Sequence, residues 1–203
     1  MVAFSSATKR SVRLVLASGS PRRRELMERF GMPFEVVVSR IDEVPHHEED
    51  PAEFALRMAC EKGSEVAQRS RAAIVLAADT VVSIDGRILG KPVDLEAAER
   101  MLESLSGRVH SVFTGIALVA TLDSPMLTAV DETRVWFRPL ETREIREYVR
   151  VESVLDKAGA YAIQGVASEF IPRISGNYSN VVGLPLPVVF DLMRRCSIVA
   201  DDR

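Results

Sequence analysis

The sequence predicts an α/β protein with a mixed β-sheet flanked by helices, and three observations support this fold class. Strand patterns alternate with helix patterns in the first half of the chain. Two long β-rich runs, 110–121 and 127–137, follow each other in the second half, as expected of an antiparallel pair. The length of 203 residues suits one domain with a large core, or two small lobes.

The composition narrows the class of protein. Apolar residues make up 47% of the chain and charged residues 27%, which is typical of globular proteins and excludes disordered, collagen-like and coiled-coil chains. The chain has 26 Lys and Arg residues and 29 Asp and Glu residues, so the net charge is −3. This charge gives no reason to expect general binding to nucleic acid or to an anionic membrane. Any anion site must therefore be local.

The sequence also indicates a compartment. Cys60 and Cys196 lie far apart and form no CxxC motif, which favours a reducing environment. The first eleven residues lead into no apolar stretch of signal-peptide length. The longest apolar run, 181–190, contains a glycine and two prolines and is too short to span a bilayer. We therefore expect a cytoplasmic protein with no membrane partner.

Capping residues and turns place the elements of the first half. Ser20 and Asp50 each precede a proline and are predicted helix caps, and Asp85-Gly86 predicts a tight hairpin turn. Lys62 is expected near the edge of the apolar face of the long helix. The predicted elements are strand 12–17, helix 22–30, strand 34–39, helix 51–69, strand 72–78, strand 81–84 and strand 87–89.

The second half is predicted in the same way. Asp94 is a predicted cap and Gly107 a predicted stop for one helix, and 123–125 is the predicted turn between the two long strands. The predicted elements are helix 95–105, strands 110–121 and 127–137, helix 141–149, a short strand around 169–174, and a final helix after Pro187.

A predicted helix start carries three consecutive arginines, Arg22 to Arg24. Positive side chains at the positive end of a helix dipole are unfavourable, and a bound anion would remove the conflict. Ser18, Gly19 and Ser20 just before them add hydroxyl and backbone donors that suit a phosphate. In the alternative interpretation, Ser20 only caps the helix and the arginines are solvated.

Asp79 follows the predicted strand 72–78 directly, so its carboxylate is expected at the carboxyl edge of the sheet, where ligands of α/β proteins bind. A partly buried carboxylate needs a cation, a donor network or a raised pKa. Glu43 and Asp42, after another strand, could add carboxylates for a hard ion such as Mg²⁺. The alternatives are a turn aspartate bonded to nearby backbone, and loop acids that are merely solvated.

Three further polar residues are candidates. Lys62 and Lys91 each neighbour an element that ends near the acids, although either could be an ordinary surface lysine. Gln164 could recognise a base edge through its amide, or could bond to turn backbone. The chain contains no GxGxxG, GxxxxGK[ST], HExxH or GxSxG motif, which excludes the common Rossmann, P-loop, zinc-protease and serine-hydrolase patterns.

Six ordered blocks together resemble the Maf family of nucleoside triphosphate pyrophosphatases. They are LASGSPRR (16–23), ADTVV (78–82), GKP (90–92), LSG (105–107), DKAGAYAIQG (156–165) and YSNVVGLPL (178–186). The resemblance covers about 12–193, so we expect one Maf-like domain with tails at about 1–11 and 194–203. It implies an elongated fold similar to that of the inosine triphosphate pyrophosphatases, with the active site in a cleft between two lobes.

The resemblance also implies the reaction and the site. The family cleaves nucleoside triphosphates between the α and β phosphates with a divalent metal, Mg²⁺ or Mn²⁺, and its proton acceptor corresponds to Asp79. We expect Glu43 and Asp79 to hold the metal. The residues that match its phosphate-binding and cleft positions are Ser18, Ser20, Arg22, Arg23, Glu43, Lys62 and Lys91.

The positions that determine substrate choice in the family match Arg22, Thr80 and Gln164. The pattern around Thr80 is similar to that of the branch that acts on dTTP and UTP. The alternatives are a nucleotide-binding regulator of septum formation with little turnover, and a 7-methyl-GTP pyrophosphatase. Modified pyrimidine nucleotides are further candidate substrates. A homodimer is the default expectation. Asn177 departs from the serine or aspartate that many relatives have there, which affects a loop contact and not the proposed chemistry.

Overall fold

The computed structural model describes residues 13–120 and 125–196. The strands in these ranges are β1 Arg13–Ala17, β2 Glu35–Val36, β3 Ala73–Ile84, β4 Arg87–Leu89, β5 Val109–Val119, β6 Leu127–Trp136 and β7 Arg173–Ser175. The helices are α1 Pro21–Glu28, α2 Pro51–Arg69, α3 Leu95–Leu105, α4 Thr142–Val151, α5 Tyr178–Val182 and α6 Leu186–Arg195. Two short 3₁₀ turns, Ala158–Ala160 and Val166–Phe170, lie between α4 and β7.

The strands form one mixed sheet in the order β2-β1-β3-β5-β6-β7, with β4 paired to β3 outside this path. β1 runs parallel to β2 and β3, and every other pairing is antiparallel. The predicted mixed sheet and the antiparallel pair of long strands, β5 and β6, are therefore confirmed. Residues 123 and 124 of the predicted turn between them lie outside the described residues.

The prediction of two separate strands around Asp79 is wrong. β3 runs unbroken from Ala73 to Ile84, because β5 pairs with it continuously from Val75 to Ser83. Asp79 therefore lies inside the strand and not at its carboxyl end. The neighbouring strand β1 stops at Ala17, opposite Ala77, so the sheet is open beside Asp79 on that side.

The hydrophobic cores that contain the residues of β3 differ before and after Asp79. Before it, Leu76 packs with α1 and α6 on one face of the sheet, and Val75 packs with α2 on the other. After it, Val82 and Ile84 belong to a separate core built with α3 and α4. Two packed regions therefore share β3 and β5, which confirms the predicted two lobes.

Helix α2 lies unusually close to the sheet at Gly115 of β5. A Cβ at Gly115 would overlap the backbone of Ala55 and Leu56 in α2. The missing side chain thus lets α2 press against the sheet, with Phe54, Ala55, Met58, Ala59, Val66 and Ala67 all buried. This close approach brings Lys62 of α2 to the middle of β3.

The predicted caps and turn are confirmed. The side chains of Ser20, Asp50 and Asp94 accept hydrogen bonds from backbone N–H groups in the first turns of α1, α2 and α3. Asp85 and Gly86 adopt φ angles of 52° and 75°, as a two-residue turn between β3 and β4 requires. These caps and this turn depend on residues close to them in sequence.

Two predicted strand boundaries are wrong, and one short helix was not predicted. Only Glu35–Val36 of the predicted strand 34–39 is a strand, since it is the edge of the sheet and pairs with β1 alone. The predicted strand 169–174 is a 3₁₀ turn followed by β7. Helix α5 was not predicted, and its cap is Asn177, which accepts from the Ser179 N–H. The final helix α6, predicted after Pro187, begins at Leu186 and ends at Arg195.

Among the described residues, no helix is long and apolar enough to cross a membrane.

Candidate active site

A cavity of about 390 Å³ lies beside the middle of β3, next to the end of β1. This volume falls in the range of small-molecule sites. The charged residues that line it are the cations Arg22, Arg23, Lys62, Lys91 and Lys157, and the carboxylates Glu43, Asp79 and Asp156. Five cations against three carboxylates leave an excess of two positive charges, in a chain whose net charge is −3. The cavity is therefore locally positive although the chain as a whole is negative.

Lys62, Asp79, Glu43 and Lys91 form one ionic network in the cavity. The Lys62 Nζ donates to Asp79 Oδ1 at 2.5 Å and to Glu43 Oε1 at 2.6 Å. The Lys91 Nζ donates to the other Glu43 oxygen at 2.9 Å. Lys62 and Asp79 are buried, with 7% and 5% of their surface exposed, whereas Glu43 and Lys91 face the opening. Sequence analysis placed Lys62 near the edge of the α2 face, but it lies on the buried face.

Strand alternation explains how Asp79 and Thr80 reach the cavity from opposite faces of the sheet. Asp79 points to the α2 face, as Val75 and Ala77 do, and there it meets Lys62. Thr80 points to the other face, where its Oγ1 lies 2.9 Å from the Thr114 Oγ1. Both residues line the cavity because β1 ends before them and leaves that edge of β3 uncovered.

The two acids that share Lys62 have pKa values shifted in opposite directions. Burial raises the pKa of Asp79, and the charges of Lys62 and Arg23 only partly oppose this effect. Burial also raises the pKa of Glu43, but hydrogen bonds and charge from Lys62 and Lys91 outweigh it and bring the pKa to about 2. Asp79 is thus the more basic carboxylate of the pair, and Glu43 stays ionised and holds both lysines.

The start of α1 supplies hydroxyl groups. The Ser20 Oγ accepts from the Arg23 backbone N–H at 3.4 Å, so the capping interpretation of Ser20 is correct. The buried Ser18 Oγ accepts from the Ser20 N–H at 3.2 Å. A hydroxyl that accepts can still donate. Both serines line the cavity and can therefore offer O–H groups to an anion.

The two arginines that we predicted to bind phosphate differ in the structure. Arg23 is half-buried and donates to protein acceptors through four of its five N–H groups. The acceptors are the Gly183 and Ala78 carbonyls, the Ser18 Oγ and the Thr80 Oγ1. Burial lowers its pKa. These bonds fix Arg23 in the cavity wall, and its contact with phosphate stays a prediction.

Arg22 is placed to contact a ligand directly. Its Nη1 lies 3.7 Å from the Asp156 Oδ2, and 26% of its side chain is exposed. A single long ion pair leaves most of the guanidinium donors available. Gln164 also lines the cavity and is partly exposed.

The carboxylates fit a divalent metal that arrives together with phosphate. Glu43 and Asp79 converge on one point, as their shared hydrogen bonds to Lys62 show. Mg²⁺ is usually bound through one or two carboxylates, with phosphate oxygens and water completing its shell. Within 13–120 and 125–196, no cluster of three or more His, Cys, Asp or Glu residues forms a cage for a metal. Asp42 is exposed and joins no such cluster.

Sequence analysis missed Asp156 and Lys157. Lys157 lines the cavity with its Nζ 2.8 Å from the Asp156 Oδ1, and only 8% of the residue is exposed. Both residues lie in a segment without helix or strand periodicity, so no pattern marked them. The usable signal was the resemblance block 156–165, of which only Gln164 was selected.

The fold and the site together define an α/β protein with a cation-rich cavity that contains a buried carboxylate of raised pKa. The family model described as Maf-like protein matches residues 13–196, and the chain belongs to this family.

Relatives of known name agree with this family. The chain is 51% identical to the dTTP/UTP pyrophosphatase of Symbiobacterium thermophilum over 173 residues, which cover 85% of this chain and 88% of the relative. It is 44% identical to the dTTP/UTP pyrophosphatase of Pelotomaculum thermopropionicum, over 90% of this chain and 95% of the relative. Among solved structures, it is similar to a HAM1 protein from Coxiella burnetii, with 22% identity, a TM-score of 0.42 and coverage of 62% of this chain and 73% of that one.

Proposed function

We propose that the protein is a nucleoside triphosphate pyrophosphatase that hydrolyses dTTP and UTP to the monophosphate and pyrophosphate. The observation that carries this proposal is the buried Asp79, held by Lys62 in a cavity with an excess of positive charge. The names of the relatives, which are dTTP/UTP pyrophosphatases, support the same substrates. A cation-rich cavity suits a triphosphate, and a carboxylate with a raised pKa suits a proton acceptor.

Asp79 orients and deprotonates the attacking water in this proposal. Its raised pKa makes it a stronger base than an exposed aspartate, while the Lys62 ammonium fixes the position of Oδ1. The other carboxylate oxygen remains available to a water molecule. The water attacks the α phosphorus, its proton passes to Asp79, and pyrophosphate leaves.

Cations around the cavity stabilise the charge of the reacting phosphates. Lys62 and Lys91 both donate hydrogen bonds to Glu43, and Arg22 lies at the start of α1. Phosphoryl transfer depends mainly on such positioning and electrostatic stabilisation. Ser18 and Ser20 add neutral donors next to the arginines.

Glu43 and Asp79 are the residues that would hold Mg²⁺ or Mn²⁺. When bound, the metal offsets phosphate charge and polarises the P–O bonds. Lys62 hydrogen-bonds both carboxylates and so holds them close together where they would bind the metal.

Base recognition is assigned to Gln164, with Thr80 and Arg22 shaping the cavity nearby. The Gln164 amide offers one acceptor and two N–H donors, which can match the polar edge of a pyrimidine. Thr80 shares the Gly183 carbonyl with Arg23, so it also sets the position of the loop after α5. Gln164→Ala is therefore expected to change the ratio of pyrimidine to purine turnover, and an unchanged ratio would oppose this assignment.

The two cysteines in the described ranges, Cys60 and Cys196, are free thiols. Free thiols suit a reducing compartment, and we place the protein in the cytoplasm on this ground.

The experiment measures pyrophosphate release from dTTP, UTP, CTP, GTP, ATP and 7-methyl-GTP, with Mg²⁺ or Mn²⁺. We expect turnover selective for dTTP and UTP in the wild type, and a loss of several orders of magnitude in Asp79→Asn. Asp191→Asn is the matched control, because Asp191 pairs with Arg194 on the surface of α6. Tight nucleotide binding without turnover of any nucleotide would refute the proposal and favour a regulator that binds nucleotides. Selective turnover of 7-methyl-GTP would refute the substrate assignment alone.

A further inference from the structure

We propose that Lys157 is a further phosphate-binding residue of the cavity, and that Asp156 is the positioning residue that holds it ready. This inference rests on the proposed function for its natural ligand, the triphosphate chain. Its test with inorganic pyrophosphate is independent of turnover. Four observations carry it.

The first observation is where the lysines lie. The chain contains 22 arginines and four lysines. Lys9 is outside the described residues, and the other three, Lys62, Lys91 and Lys157, all line the cavity. Arginine supplies the other cations of the described chain, including those of its surface ion pairs. Lysine is a compact point charge that binds single phosphate oxygens, so its confinement to this cavity indicates a shared task.

The second observation is the unused bonding capacity of Lys157. Its ammonium has three N–H donors, and among the described residues one hydrogen bond is found, from Nζ to the Asp156 Oδ1 at 2.8 Å. Only 10% of its side chain is exposed, whereas 55% of the Asp156 side chain is exposed. A lysine needed only for a surface ion pair would stay in water, because burying an ammonium is costly. The remaining donors of Lys157 are available to a ligand in the cavity.

The third observation is its place among the other cations. The second oxygen of Asp156, Oδ2, lies 3.7 Å from Arg22. Two residues after Lys157, the Gly159 N–H donates to the Gly90 carbonyl at 3.1 Å, next to Lys91. Gly159 also lies against the Val82 side chain with a φ of 67°, which ties this segment to β3. Lys157 is thus fixed between Arg22 and the turn that carries Lys91.

The fourth observation is the pairing of acids with cations. Glu43 holds Lys62 and Lys91, and Asp156 holds Lys157 and Arg22. Each acid neutralises only one of its two cations. Burial raises the pKa of Asp156, but the hydrogen bond and charge of Lys157 outweigh this and lower it, so Asp156 stays ionised. Asp79 also pairs with Lys62, and Arg23 is a fifth cation, so the cavity as a whole keeps an excess of two positive charges for a phosphate chain.

The test compares three variants with the wild type. Lys157→Met removes the charge at a similar side-chain length, and Lys157→Arg restores it. Arg143→Met is the matched control, because it removes one positive charge from an exposed pair on α4. The binding of inorganic pyrophosphate is measured by calorimetry, and the binding of thymidine, which has no phosphate, is measured in parallel.

We expect Lys157→Met to weaken pyrophosphate binding about 10- to 100-fold, the range for loss of a charge-assisted hydrogen bond. Thymidine binding and the melting temperature should stay close to those of the wild type, Lys157→Arg should recover most of the affinity, and Arg143→Met should change it less than twofold. An unchanged affinity in Lys157→Met overturns the proposal. Equal weakening of pyrophosphate and thymidine binding also overturns it, because that result indicates a purely structural residue.

If Lys157→Met does not fold, the wild type still provides a test. Lysines are acetylated with acetic anhydride, with and without inorganic pyrophosphate, and the peptide containing Lys157 is quantified by mass spectrometry. We expect pyrophosphate to protect Lys157 along with Lys62 and Lys91. An unprotected Lys157 overturns the inference. Pyrophosphate binding without turnover of any nucleotide would refute the proposed function and leave this phosphate site intact.

Discussion

Acidification from pH 7 to pH 5 should destabilise the protein through one buried histidine, His110. Only 3% of His110 is exposed, and its Nε2 lies 2.7 Å from the Tyr161 Oη. Its Nδ1 has no hydrogen-bond partner among the described residues. The rings of Phe137 and Tyr161 pack against it edge-on. Because no carboxylate of the described residues is within hydrogen-bond reach of His110, none of them stabilises a charged imidazole there.

The magnitude follows from the pKa of His110, which burial lowers from 6.5 to about 4. Between these values the unfolded chain binds the proton and the native protein does not, so lower pH favours unfolding. The stability that depends on a neutral His110 is fully present above pH 6.5, and it is lost as the pH falls towards 4. This linkage predicts a loss of about 2 kcal/mol between pH 7 and pH 5, and about 3 kcal/mol once the pH is below both values.

The assay is urea unfolding at pH 7 and pH 5 for the wild type, His110→Gln and Tyr161→Phe. His110→Gln cannot be protonated, so its loss of stability on acidification should be about 2 kcal/mol smaller than that of the wild type. Tyr161→Phe keeps the buried imidazole and should retain the wild-type loss. The chain has three histidines, and the other two, His46 and His47, are exposed and unchanged in all variants. Equal losses in the wild type and His110→Gln would refute the reasoning.

Two further predictions concern the elements that position the site. Gly115→Ala should destabilise the protein by about 3 kcal/mol, because its Cβ overlaps the α2 backbone. Gly90→Ala, whose Cβ meets no described atom within 4 Å, should stay within about 1 kcal/mol of the wild type; equal effects in urea unfolding would contradict the close approach of α2. Asp50→Ala should cost about 1 kcal/mol by removing the α2 cap, and the exposed Asp42→Ala should cost close to nothing. Indistinguishable melting temperatures of these two variants would show that the cap contributes nothing.

Local signals in the sequence were sufficient for most elements of the fold. Caps such as Asp50 and turns such as Asp85-Gly86 act within a few residues, so their patterns are visible in the chain itself. Strand continuity was not predictable in the same way. The polar pair Asp79-Thr80 looks like a strand end, but β5 pairs across it and keeps β3 extended. That pairing joins residues far apart in sequence, and no local pattern records it.

For the candidate site, too, one part could be predicted from the sequence and another could not. The resemblance predicted Asp79, Glu43, Lys62 and Lys91 as site residues, and the structure places them in one ionic network. What a side chain does within the site depends on burial and partners. Arg23, for example, donates four bonds inward and forms the wall.

Lys157 was missed for a related reason. Its segment has no helix or strand periodicity, and its place in the cavity depends on tertiary contacts of the residues around it, Asp156 with Arg22 and Gly159 with Gly90. A composition count would have been the better guide, because lysine is rare in this chain and the three described lysines all line the cavity.

The measurement that tests the central claim most directly is hydrolysis of dTTP in water enriched in oxygen-18. If Asp79 directs water to the α phosphorus, the label enters the monophosphate, pyrophosphate is released unlabelled, and both products disappear in Asp79→Asn. Release of orthophosphate with a nucleoside diphosphate, label in the pyrophosphate, or undiminished turnover in Asp79→Asn would contradict the account.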